Sequence, residues 1–115
     1  MSTMTLDEYQ RGALRTASYP SEARMLYPAL KLAGEAGEVT EKLGKLMRDE
    51  GWLPNEPLSE AQRDALVKEL GDVLWYVAVL AHDLGVSLET VGDTNLTKLA
   101  SRHARGVIGG SGDDR

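Results

Sequence analysis

Apolar side chains recur along this chain at three- and four-residue steps, the spacing that lines one face of an α-helix. Leu26, Leu30 and Ala33, then Leu32, Val39, Leu43 and Leu46, keep that rhythm from about Met25 and predict a helix reaching Arg48 or Asp49. Leu66, Leu70, Val73, Val77, Leu80 and Leu84 alternate steps of four and three, predicting a second long helix that ends at Gly85. Leu88, Val91, Leu96, Leu99 and Ala100 mark a further helix that fades near Arg105.

Polar punctuation fits these stripes. Thr5-Leu6-Asp7-Glu8 and Ser59-Glu60-Ala61-Gln62 are capping-box patterns, in which a hydroxyl serves the backbone three residues on and the Glu or Gln reaches back. The first opens a short helix expected to run to about Ser18, where Tyr19-Pro20-Ser21 breaks it. Pro28 falls in the first turn of the next helix, where proline is tolerated, and Ser87 is placed to cap the last one. Gly51, Pro54 and Pro57 interrupt the pattern and define the main internal loop. The predicted fold is all-α, an antiparallel bundle of four to five helices.

A chain of 115 residues supports one modest core, so residues 1–105 are read as a single domain. Residues 106–115, rich in Gly, Ser and Asp, have nothing to bury and are expected to be a disordered tail. There is no Cys, which excludes disulfides. The N-terminus lacks the basic flank and apolar run of a signal peptide, and no later stretch is long and uncharged enough to span a bilayer, so a cytoplasmic protein without membrane partners is expected. Eighteen acidic residues against 13 basic ones argue against a nucleic-acid polymer as partner. A metal ion can still supply positive charge locally for a nucleotide.

The chemistry-bearing pattern is a pair of acid pairs. Glu35 and Glu38 share one face of the second helix, and Glu69 and Asp72 share one face of the third. Packed antiparallel, the two helices would gather four carboxylates. Oxygen ligands at that density favour a hard cation, Mg²⁺ or alternatively Mn²⁺, over zinc. A single such pair is usually a solvated helix face. Here both pairs sit beside glycines, Gly34, Gly37 and Gly71, which cost helix stability and make sense where another helix or a ligand approaches closely.

The stretches Leu32-Ala-Gly-Glu-Ala-Gly-Glu-Val39, Lys68-Glu-Leu-Gly-Asp-Val-Leu-Trp-Tyr-Val77, Leu84-Gly-Val-Ser-Leu-Glu89 and Asn95-Leu-Thr-Lys98 resemble the all-α nucleoside triphosphate pyrophosphohydrolases of the MazG type, over roughly Leu30 to Arg102. The resemblance implies a helical bundle in which Glu35, Glu38, Glu69 and Asp72 hold Mg²⁺ against a triphosphate, and water attacks the α-phosphorus to release pyrophosphate and a monophosphate. It also implies dimers or dimer-based tetramers with sites at or near the interface. Glu38 or Glu35 is the candidate general base.

Asn95, Lys98 and Arg102 share a face of the last helix, the cations suited to phosphate and Asn95 to sugar or base. A solvated basic face near a helix C-terminus is the ordinary alternative. Lys31 is a weaker phosphate candidate. Trp75 or Tyr76 is placed to stack a nucleobase while the other packs in the core, and Tyr27, Met25 and Trp52 are secondary pocket candidates. Incomplete burial of helices this short predicts at least a homodimer. The leading expectation is a pyrophosphohydrolase that clears surplus or damaged nucleotides; the rival is a non-catalytic nucleotide- or partner-binding bundle.

Overall fold

The computed structural model describes residues 3–113, and among them the protein is all-helical with no strand. Helix α1 spans Leu6–Leu14, α2 Leu26–Glu50, α3 Glu60–Asp83 and α4 Leu88–Ala104, with a single 3₁₀ turn at Ser21–Ala23. Both capping boxes form: Thr5 accepts from the Glu8 N–H, Ser59 accepts from the Gln62 N–H, and each partner side chain bonds back. Helix α1 ends at Leu14 rather than near Ser18, its last carbonyls closed by tight turns through Ala17.

Helices α2 and α3 form a long antiparallel hairpin, and three side-chain contacts fix its register. Glu50 meets Gln62 at 3.1 Å, Lys42 meets Glu69 at 3.2 Å, and Glu35 meets Glu69 and Asp72 further along. The hairpin loop begins at Gly51, whose φ of 69° is one that glycine adopts without strain, and the Trp52 N–H closes back on the Leu46 carbonyl at 3.1 Å. Trp52 itself donates Nε1 to the Glu56 carbonyl and so anchors its own loop.

The α3–α4 junction breaks the antiparallel pattern. Gly85 takes φ 82°, its N–H bonds the His82 carbonyl and the Val86 N–H bonds the Ala81 carbonyl, closing α3 in a Schellman turn. Helix α4 therefore leaves at 99° to α3. Against this corner lies α1, and the core forms there: Ala13, Ala78, Val79 and Leu88 are buried, ringed by Tyr9, Leu14, Tyr19, Trp75, Tyr76 and Val77.

One polar residue sits inside this core. Gln10 donates Nε2 to the carbonyls of Ala78 at 3.0 Å and Val86 at 3.2 Å, and its Oε1 accepts from the Leu88 N–H at 3.1 Å. Asp7 accepts from the Glu89 N–H at 3.0 Å and Ser87 from the Thr90 N–H at 3.1 Å. Three of the N–H groups that open α4 are thus served, two of them by side chains of α1.

The apolar stripes are only partly covered. Leu66, Val73, Val77 and Leu80 are half-buried, whereas Leu30 is 65% exposed, Leu70 55% and Leu96 67%. Helices α1 and α4 pack at one end of the hairpin, so much of its length meets no other element. No single helix among the described residues is long and apolar enough to cross a membrane.

Beyond α4 the chain does not run straight on. Gly106, at φ 73°, donates to the His103 carbonyl, and the Val107 N–H bonds the Arg102 carbonyl at 2.8 Å, a turn of the same kind as at Gly85. It sends residues 107–113 back along α4; Asp114 and Arg115, the last residues of the expected tail, lie outside the described residues.

Candidate active site

The hairpin register brings Glu35 of α2 against Glu69 and Asp72 of α3, with one carboxylate oxygen from each within 4.8 Å of the others. Glu35 and Glu69 are half-buried and Asp72 is exposed. Glu38, one turn beyond Glu35, is exposed and outside this group. Lys42 places its ammonium 3.2 Å from Glu69 and offsets part of the repulsion among the acids.

The donor set fits a hard divalent cation. All three groups are carboxylates, and opposite oxygens around six-coordinate Mg²⁺ stand about 4.2 Å apart at bond lengths of about 2.1 Å. A methyl group added at Gly34, Gly37 or Gly71 would meet no neighbour within 4 Å. Among the described residues no other helix approaches the backbone there, so the space beside those glycines is open.

An aromatic wall adjoins the acids. A cleft of about 330 Å³ is lined by Glu35, Asp72, Trp75 and Tyr76, and the same Trp75 and Tyr76 line a cavity of about 450 Å³ shared with Thr16, Ser18, Tyr19 and Tyr27. Tyr19 stacks on Tyr27 with ring centroids 5.2 Å apart, and Trp75 meets Tyr76 edge-on at 4.9 Å. Trp75 is oriented by an Nε1 bond to Thr16 Oγ1 at 3.0 Å. Burial raises the Tyr76 hydroxyl above its ordinary range, aided by its bond to Tyr27 and by the charges of Glu35 and Asp72. Tyr9 is raised by burial and by Asp72.

Asp83 holds the far wall in place. Its Oδ2 accepts from the Tyr19 hydroxyl at 2.6 Å and from the Met25 N–H at 3.0 Å. Met25 enters α2 at φ 65°, a conformation unfavourable for a side chain and secured by that bond. Burial first, then the Asp83 bond, push Tyr19 up to about 12. Because the folded value lies above the ordinary 10.0, this contact contributes stability below pH 10 and loses it as pH rises toward 12. Absorbance titration of tyrosinate is therefore expected to show a late component that Tyr19→Phe removes; an unchanged curve would discount the contact.

The cationic candidates lie elsewhere in the single chain. Asn95 and Lys98 line a separate groove of about 380 Å³ with Val86, Thr90, Val91 and Thr94. Arg102 is buried beside Lys98's tail contact, and Lys31 is exposed on α2. Lys42, Thr16 and Tyr19 were not singled out in the sequence. Lys42 follows Glu38 at the i,i+4 spacing of an ordinary surface pair, and the other two precede the helices that carry the motifs.

Comparison with known proteins adds two findings. A family model described as the MazG nucleotide pyrophosphohydrolase domain matches residues 26–107. The chain is also similar to the Gene 37 protein of Mycobacterium phage L5, 47% identical over 118 residues, covering 97% of this chain and 100% of that protein. No solved structure matches.

Proposed function

Because the chain belongs to the MazG nucleotide pyrophosphohydrolase family, we propose that it hydrolyses a nucleoside triphosphate to the monophosphate and pyrophosphate with Mg²⁺, Mn²⁺ being the alternative ion. The observation that carries this reading is the meeting of Glu35, Glu69 and Asp72 beside a cleft whose Trp75 and Tyr76 also line an aromatic cavity. Acids and aromatic wall are the two halves of a nucleotide site: one for the ion that faces the phosphates, one for the base.

Glu35, Glu69 and Asp72 hold the ion, and Glu38 joins them by rotating its exposed side chain along the same helical face. When bound, the ion supplies positive charge against the phosphates and makes water a competent nucleophile near neutral pH. Glu38 or Glu35 takes the proton of the water that attacks the α-phosphorus, and pyrophosphate leaves. Lys42 steadies Glu69, and Trp75 or Tyr76 stacks the base. Lys98, Arg102 and Asn95 bind the outer phosphates and the sugar or base, with Lys31 a further contact to phosphate.

Lys98 and Asn95 of α4 line a different groove from the acids, and Leu30, Leu70 and Leu96 remain exposed. Both facts support a homodimer or dimer-based tetramer in which a second copy covers the apolar stripes and brings α4 to the acids. Removal of surplus or damaged nucleotides is the role that fits such an activity.

The alternative is a non-catalytic nucleotide-binding bundle, favoured by one observation: the Lys42 ammonium lies 3.2 Å from Glu69 and offsets part of its charge. Release of pyrophosphate and monophosphate from canonical and oxidised nucleotides, with and without Mg²⁺, separates the two. Magnesium-dependent release is the expected result. Nucleotide binding without turnover across the panel would favour the alternative.

A further inference from the structure

The last described residue of the tail occupies the cations of α4. Asp113 Oδ1 lies 3.0 Å from Lys98 Nζ and 3.1 Å from Arg102 Nη2, and the same Nη2 donates to the Gly112 carbonyl at 3.2 Å. Arg102 is 3% exposed, and its Nε is buried with no hydrogen-bond partner. The Asp113 side chain is 82% exposed. The segment lies largely beyond the family match, which ends at residue 107.

We propose that the C-terminal tail is an intramolecular competitor for an oxyanion, with Asp113 standing where a phosphate group of the nucleotide binds to Lys98 and Arg102. This rests on the reading above that those two cations hold phosphate.

The geometry supports an exchangeable contact. A guanidinium buried to this degree is costly without an anion beside it. The exposed carboxylate is weakly held, since ion pairs open to water contribute little. Its departure is therefore favourable when another anion takes its place and unfavourable when only water does. A phosphate offers more acceptor oxygens than one carboxylate and reaches Arg102 with the charge-assisted geometry guanidinium favours. The turn at Gly106 and the positive φ values of Gly110, 98°, and Gly112, 85°, let the tail fold back within a few residues. Bonds to Lys98 and then Arg102 hold the Asp113 carboxyl below its ordinary range, so it is charged across the neutral range.

The test compares Asp113→Asn with the parent full-length chain in steady-state kinetics and in metal-free binding of inorganic tripolyphosphate. Asp64→Asn, an exposed acid on α3 outside these contacts, controls for net charge. Asp113→Asn is expected to lower KM for the nucleoside triphosphate about two- to fivefold with kcat unchanged, and to tighten tripolyphosphate binding by a similar factor, while Asp64→Asn does neither. Lys98→Ala is expected to raise KM several-fold and to erase the Asp113→Asn gain. If Lys98→Ala raises KM but Asp113→Asn matches the parent in both assays, the tail proposal is overturned and the phosphate reading stands. If Lys98→Ala also leaves KM unchanged, both are overturned.

Discussion

Asp72→Asn is expected to reduce magnesium-dependent pyrophosphate release by a hundredfold or more, with no loss of helical circular dichroism. The substitution keeps the shape of the side chain and removes its charge, one of three that converge within 4.8 Å. Loss of a group aimed at charge in the reacting complex typically costs on the order of 10²-fold to 10³-fold in kcat. Folding does not suffer, because Asp72 is exposed and its charge is opposed by Glu35 and Glu69. The metal-free variant should melt at the parent temperature or slightly above it, and the upward shift that Mg²⁺ gives the parent should shrink. Near-normal turnover by Asp72→Asn would remove the acid cluster from the chemistry. Glu38→Gln sharpens the result: equal loss of turnover means that its side chain rotates into the site, and retained turnover leaves the three converging acids as the working set.

Gln10→Ala is the substitution expected to damage the fold most, by about 2–4 kcal/mol, read as a fall in melting temperature of roughly 10 °C or more. Three hydrogen bonds, two of them buried, disappear together, and the Leu88 N–H at the start of α4 is left without the acceptor that serves it. A cavity adds to the cost, because Gln10 lies against the Ala13, Ala78, Val79 and Leu88 core. Gln10→Glu refines the test: it keeps the acceptor for Leu88 but turns the donor into a second acceptor facing two carbonyls, so it should be as damaging or worse near neutral pH. A melting temperature within two or three degrees of the parent for Gln10→Ala would show that α4 docks without this clamp.

The features legible in the sequence are those decided within a few residues. Thr5, Ser59 and Ser87 cap the helices that follow them, and Gly51 closes α2, because capping and left-handed turns depend only on nearby backbone. The acid pairs were legible as pairs by helical spacing. Which oxygens meet was not, since that depends on the register of α2 against α3 and on the rotamers of exposed side chains.

Gln10 was invisible for a related reason. A glutamine on a short amphipathic helix reads as surface, and the partner that makes it a core residue lies 78 residues away. The stripes of α2 and α3 predicted more burial than a single chain supplies. Leu30 and Leu70 follow the helical period, but period tells which face is apolar and not what covers it. The groove of Asn95 and Lys98 stands apart from the acids because α4 turns away at 99°, a corner set by Gly85 that no motif spacing reveals.

The clamp between α1 and the start of α4 bears on the order in which a ribosome can assemble this molecule. Contacts between α2 and α3 close between neighbours in the chain, so that hairpin can form while the rest is still being translated. Helix α1 precedes that hairpin in the chain, yet the partners of Asp7 and Gln10 lie at Ala78, Val86, Leu88 and Glu89. Until the end of α3 and the start of α4 leave the exit tunnel, the apolar side of α1 lacks its full seat. A helix made before the hairpin thus settles fully only after it, and truncations that stop short of Leu88 remove the α4 side of its seat and should leave the N-terminal segment more open to proteases than the hairpin behind it.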